Sequence, residues 1–182
     1  MIIKILHEAN NQSKLWFAAN GKSLKDKILL HISSATNLDL LTLDFEGIEV
    51  MDTSFTREAF VKLIFEIGLN NLHPQVILIN VDEYVKENLH VSFKDHKCFT
   101  LIKNISNDWA LVGKVSEHNV ETVKSLAKRK GASAKQISID LGDIGVSTTI
   151  NRLNQLYNFC ICTRKELVQP TGGREYLFKI EI

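Results

Sequence analysis

The sequence predicts an α/β protein: a sheet with packed helices over residues 1–115, then three helices closed by a hairpin over residues 116–182. Three observations predict it. In the first stretch, short apolar runs alternate with segments of helical spacing, the pattern of parallel strands joined by helices. In the second, three short amphipathic patterns follow one another, the last two separated by the tight turn Gly142-Asp143-Ile144-Gly145. Two strand-like runs then end the sequence.

Met1–Leu6 reads as the first strand. From Ser23 to about Ser33 the apolar residues Leu24, Ile28 and Ile32 recur every fourth position, and Ser23 with Asp26 has the spacing of a capping box. Leu40–Phe45 is a nearly continuous apolar run suited to a buried strand. A second helix starts near Thr53 or Ser54, either of which can cap it. Phe60, Leu63, Ile64 and Ile67 supply its apolar stripe, and Gly68 stands where a C-cap glycine belongs. Gln75–Val81 is another buried strand, Asp82 caps a short helix with Val85 and Leu89 inward, and Cys98–Ile102 and Trp109–Val115 are later strands.

The pattern changes near Ser116. A helix over Asn119–Lys130 puts Val120, Val123, Leu126 and Ala127 on one face, and Gly131 ends it. Ser133 with Gln136 opens a second helix at Ala134–Leu141, with Ile137 and Leu141 inward. Ser147 is the expected cap of a third, Thr148–Tyr157, whose inward face is Ile150, Leu153 and Tyr157. Phe159–Leu167 and Arg174–Ile182 read as strands, joined by residues 168–173. Gly172-Gly173 there allows the positive dihedrals of a tight turn. No Pro/Gly linker marks the boundary, so the two stretches are expected to abut with little slack.

With 45% hydrophobic and 24% charged residues, the composition is that of a soluble globular protein. No apolar run reaches the roughly 18–20 residues of a membrane helix. The N-terminus lacks the basic flank and cleavage site of a secretory signal, so a cytoplasmic location is expected. Cys98, Cys160 and Cys162 are an odd number, which argues for buried thiols rather than a disulfide framework. No Cys/His spacing suits a metal, and no metal or cofactor is expected. The histidines (His7, His31, His73, His90, His96, His118) form no HExxH, and there is no Gly-x-Ser-x-Gly elbow; no catalytic site is expected. Net charge is +1, yet residues 117–182 carry ten Lys/Arg against seven Asp/Glu, and residues 1–116 carry twelve against fourteen. That asymmetry leans toward nucleic acid at the C-terminal end.

Helix, helix, turn, helix and hairpin in this order match a winged helix-turn-helix. Its third helix must pack one face and turn the other toward the major groove. Thr148, Thr149, Asn151, Arg152 and Gln155 are left over from the packing stripe. These hydroxyl, amide and guanidinium groups can bond base edges and phosphates, and no acid interrupts them. Arg164, Lys165 and Arg174 would offer cations from the wing, although Arg174 can instead pair with Glu175 or Glu166. Lys124, Lys128, Arg129 and Lys130 suit either the C-terminal helix dipole or phosphate. The run NRLNQLYNF…GGREYLF resembles winged-helix regulators, a resemblance covering about 65 residues.

The run LDFEGIEVMDTSFTREAFVKLI (Leu43–Ile64) resembles the STAS-like domain family of unknown function. More distantly it is similar to the STAS domains of anti-sigma-factor antagonists, in which Asp-Ser-Ser-Gly opens a helix and a partner kinase phosphorylates one serine. Asp52, Thr53, Ser54 and Phe55 stand at the matching positions, with phenylalanine in place of glycine. The resemblance implies a partner-binding or phosphorylation site at Asp52, Thr53 and Ser54. A phosphate on Ser54 would meet the helix dipole and free N–H groups; a plain N-cap is the alternative. Asp44, Glu46, Glu49 and Asp52 suggest an acidic partner-binding rim.

The expected function is that of a DNA-binding transcriptional regulator. Its STAS-like domain senses a protein partner or signal, and its winged helix binds double-stranded DNA as a homodimer on paired half-sites. The alternative is a protein-interaction adaptor or phosphorylatable switch without direct DNA binding.

Overall fold

Apolar alternation in the first half of the chain builds one sheet with two apolar faces. The computed structural model describes residues 1–69, 73–104, 108–168 and 174–182. In chain order the elements are β1 (Ile2–Lys4), α1 (Ile5–Glu8), β2 (Lys14–Leu15), α2 (Ala18–Ser33), β3 (Leu40–Asp44), β4 (Val50–Met51) and α3 (Thr53–Thr56). A π-helical stretch (Arg57–Val61) leads into α4 (Lys62–Leu69), followed by β5 (Gln75–Ile79), α5 (Glu83–Asp95), β6 (Phe99–Lys103) and β7 (Trp109–Gly113). The C-terminal segment holds α6 (Glu117–Ala127), β8 (Ala132–Ser133), α7 (Ala134–Asp140), α8 (Val146–Asn158), β9 (Thr163–Val168) and β10 (Arg174–Lys179).

The main sheet has the order β1-β3-β5-β6-β7, parallel except for the last, antiparallel strand. Because the order never reverses, crossovers of one hand stack every connecting helix on the same face. Ile3, Leu41, Leu43, Val76, Leu78, Ile102 and Val112 accordingly share a core with residues of α2 through α5, including Ile28, Phe60, Leu63 and Leu89. The side chains that alternate with them point the other way. Ile77, Phe99 and Leu101 are buried with Val123, Leu126, Ile137, Leu153, Leu156 and Phe178 of the C-terminal segment. That segment therefore covers the sheet face the crossover helices leave open. The two stretches meet over a shared apolar layer, more than the simple abutment expected.

Several local expectations are corrected. Helix α2 begins at Ala18, five residues before Ser23, which lies inside it; Phe17 at φ +73° turns the chain into the helix. The added first turns pack closely on the next helix, since a Cβ at Gly21 would come within 2.5 Å of the Phe55 carbonyl oxygen. Asp52, rather than Thr53 or Ser54, caps α3. Gly68 falls inside α4. The helix capped by Asp82 is a full thirteen residues. Two short pairings were not foreseen: β2 with β4, and β8 with β10, which makes the hairpin a three-stranded sheet in the order β8-β10-β9. Two-residue strands carry too little alternation to read. Phe159–Cys162 is not strand; Cys160 at φ +58° breaks the run, and β9 starts at Thr163. The Gly172-Gly173 turn lies outside the described residues.

No described helix is long and apolar enough to cross a membrane.

Candidate nucleic-acid interface

The exposed side of α8 is built from below by two capped helices, α6 and α7. Ser116 caps α6, exchanging bonds with Asn119: its N–H donates to Asn119 Oδ1 at 2.9 Å and its Oγ accepts from Asn119 N–H at 3.3 Å. Gln136 Oε1 accepts from the N–H of Ser133 at 2.9 Å at the start of α7, as the Ser–Gln spacing predicts. Arg129 then joins α6 to α7 by a two-pronged pair with Asp140, Nε to Oδ2 and Nη2 to Oδ1, both 2.8 Å. Those hydrogen bonds pull the Asp140 carboxyl down to about 2. Arg129 is thus a structural cation, and Ala127 faces solvent instead of the core.

The turn between α7 and α8 holds Gly142, Asp143 and Gly145 at φ +82°, +58° and +86°. A Cβ at Gly145 would meet nothing within 4 Å, so it is the positive φ, not close packing, that favours glycine there. Gly145 is also the N-cap of α8, one position before the helix and two before Ser147, the expected cap. This shift rotates the stripe. Thr149, Leu153 and Leu156 are the buried residues, not Ile150, Leu153 and Tyr157.

Thr149 therefore leaves the set of expected DNA contacts. It is 0% exposed, and its hydroxyl donates back to the Gly145 carbonyl at 3.1 Å. Thr148, Asn151 and Gln155 are exposed as expected, joined by Ser147 and by two apolar side chains, Val146 and Ile150. Gln155 Oε1 accepts from Asn119 Nδ2 at 3.0 Å, so one edge of that amide is taken. Arg152 is half-buried, with Nη1 buried and unpartnered among the described residues. No acidic residue occurs in α8.

The far end of α8 is anchored. Tyr157 stacks on His73 with ring centroids 4.1 Å apart, and Phe159 meets Phe65 and Phe99 edge-on. The N–H of Val76 donates to the Cys160 carbonyl at 2.7 Å. Burial, then the nearby Arg164 charge, lowers the His73 pKa. Burial pushes the Cys160 thiol up to about 12 and that of Cys98 to about 11, and both are free and buried, as read from the sequence. The last turn of α8 is thus fixed to the sheet while its earlier turns present their outer side to solvent.

Arg164 is also corrected. Its guanidinium lies over Tyr157 at 4.1 Å and over Tyr176 at 4.6 Å, and Nη1 donates to Asn154 Oδ1 at 3.1 Å. The group expected to meet phosphate instead fastens β9 to α8 and β10. Lys165 is exposed, and Arg174 pairs with Glu166 at 3.3 Å on the exposed side of the hairpin. The signal for Arg164 was available in principle, since Tyr157 and Tyr176 both have aromatic faces, but only the fold brings them together.

In the N-terminal half, Asp52 gathers three donors: the N–H of Phe55 at 2.6 Å, the Ser54 hydroxyl at 2.7 Å and the N–H of Phe17 at 2.9 Å. Burial opposes ionisation of this carboxyl, but the backbone and hydroxyl donors outweigh it and hold its pKa below the usual range. Thr53 is exposed and Ser54 half-buried. The four acids of the expected rim have separate tasks. Asp44 accepts from Asn80 at 2.8 Å, and Glu46 reaches Lys4 at 3.9 Å. Glu49 lines an open cleft with Ile48, Asn80 and Asp82 at the carboxyl ends of β3 and β5. No group of three potential metal ligands gathers among the described residues.

This Asp52 region lies inside a recognised family segment. Residues 20–86 match the STAS-like domain of unknown function (DUF4325). The STAS-like match spans from early α2 to Lys86 in α5, and the mixed sheet with helices packed on it fits that domain type. It does not extend to α6–α8 or the hairpin. Comparison with curated proteins gave no match, and comparison with solved structures gave none either.

Proposed function

We propose that the chain is a DNA-binding transcriptional regulator, in which residues 116–182 act as a winged helix-turn-helix on duplex DNA and the STAS-like segment receives a protein partner or signal. One observation carries the reading. The exposed side of α8 offers Ser147, Thr148, Asn151 and Gln155 with no acid among them, while its opposite side, Thr149, Leu153 and Leu156, is buried. Hydroxyl and amide groups on such a helix reach base edges, and cations on the adjoining hairpin, Lys165 and Arg174, meet phosphate. The C-terminal excess of Lys/Arg over Asp/Glu agrees. A single module of this size covers little DNA, so a homodimer on paired half-sites is part of the proposal. A buried layer shared between the sheet and α8 gives a signal received by the STAS-like segment a path to the reading helix.

Fluorescence anisotropy with duplex DNA at low and high salt tests it. Affinity that falls steeply with salt is expected; absence of binding at low salt overturns the reading. That outcome would favour the adaptor alternative, for which the exposed Ile139, Val146 and Ile150 speak.

A further inference from the structure

We infer that α8 reads A·T base pairs, with Ile150 and Val146 packing on thymine methyl groups and Asn151 bonding adenine; this rests on the DNA-binding reading above. The argument starts from what the helix exposes. Val146 is 43% and Ile150 41% exposed, although a soluble helix gains by burying both. Separated by four residues, they form one apolar strip along a single side of α8. Ser147 and Asn151, also four apart, form the adjacent strip, and both are exposed.

Each base pair shows the major groove its own pattern of groups, and the side chains here match one pattern better than the other. Thymine presents a methyl group, which takes apolar contact; adenine presents N7 and N6, which an amide meets with two bonds. A guanine needs a cation aimed at O6 and N7. The one cation of α8, Arg152, is half-buried with Nη1 enclosed. A cytosine N4 needs an acceptor carboxylate, and α8 has none. The second amide candidate, Gln155, already accepts from Asn119, whereas no hydrogen bond engages Asn151 among the described side-chain contacts. The apolar strip beside a free amide is therefore the chemistry of a thymine next to an adenine.

The test uses three probes with the full chain: an A·T-rich duplex, a G·C-rich duplex of equal length, and the A·T-rich duplex with every thymine replaced by deoxyuridine, which deletes only the methyl groups. Native protein is expected to bind the A·T-rich duplex tightest and to lose about fourfold for each methyl contact removed. Ile150→Ala, whose fold is checked by its melting curve, is expected to lose less than the native protein when deoxyuridine replaces thymine, the Val146 contact remaining. Asn151→Ala is expected to narrow the preference over the G·C-rich duplex. Equal affinity of the native protein for thymine and deoxyuridine duplexes, or for A·T-rich and G·C-rich ones, overturns this inference and leaves DNA binding standing. Failure to bind any of the three removes both.

Discussion

The side-chain amide of Gln75 and the backbone of Glu181 exchange two hydrogen bonds, both 2.8 Å long. Gln75 opens the central strand β5 and is buried, so its amide acts as a fragment of strand that receives the last residues of the chain. Gln75→Leu keeps the bulk but leaves the N–H and carbonyl of Glu181, part-buried at these bonds, without their protein partners. The expected loss is about 2–3 kcal/mol of stability, read from urea unfolding followed by far-UV circular dichroism. A loss within a few tenths of native would mean that water replaces the amide and that the C-terminal strand is not held there.

The sandwich of Arg164 between Tyr157 and Tyr176 makes a second expectation. Arg164→Ala is expected to lower stability by about 1–3 kcal/mol, since stacking and the Asn154 bond go together. Arg164→Lys should recover little of it, because an ammonium cannot stack on two rings and bond the amide. If Arg164 contacted phosphate instead, its removal would change the salt dependence of DNA binding and leave the melting temperature alone.

These two residues show what was legible in the sequence. The buried strands β3 and β5 were readable as apolar runs and the three C-terminal helices from their apolar period, whereas α5 was read as shorter than its thirteen residues. The capping of α7 by Ser133 and of α5 by Asp82 was readable as well. Ranges shifted where a tertiary contact chose among local options. Three positive-φ residues placed the start of α8 ahead of Ser147, and that displacement sent Thr149 inward and Ile150 outward. Arg164 was read as an outward cation because nothing local announces two tyrosines converging from α8 and β10. The cover over the second sheet face was also hidden. Residues such as Ile77 and Phe99 look like ordinary buried-strand residues whether a helix or a distant segment covers them.

At Asp52, three donors from two parts of the chain meet one carboxylate. Asp52→Ala should therefore cost about 2 kcal/mol, and Ser54→Ala no more than about 1, because Ser54 only donates one bond into an acceptor that keeps two others. Thermal unfolding of both variants ranks them. The reverse order would make the serine the true organiser of the helix start.

Two cations on the hairpin separate DNA contact from structure. Lys165→Ala and Arg174→Ala should each reduce the slope of log affinity against log salt by about one contact, without preference among duplex sequences. Arg174 has Glu166 to release first, so its effect should be the smaller. Anisotropy titrations over a salt series give both slopes, and an unchanged slope in both variants would place the hairpin away from the DNA.

The Arg129–Asp140 pair predicts a pH profile with a definite sign. In the folded protein the arginine donors hold the Asp140 carboxyl at about 2, against an ordinary value of 3.8. Folding thus disfavours the proton, and the unfolded chain takes it up first as pH falls. The stabilisation is complete above the ordinary carboxylate range and is lost as pH drops through the folded value. Asp140→Asn should therefore melt below the native protein at neutral pH, and the gap should close toward pH 2. Arg129→Ala should trace the same profile, because it removes the other half of one interaction. A gap that stays constant from neutral to acid pH would show that the carboxylate charge is not what joins α6 to α7.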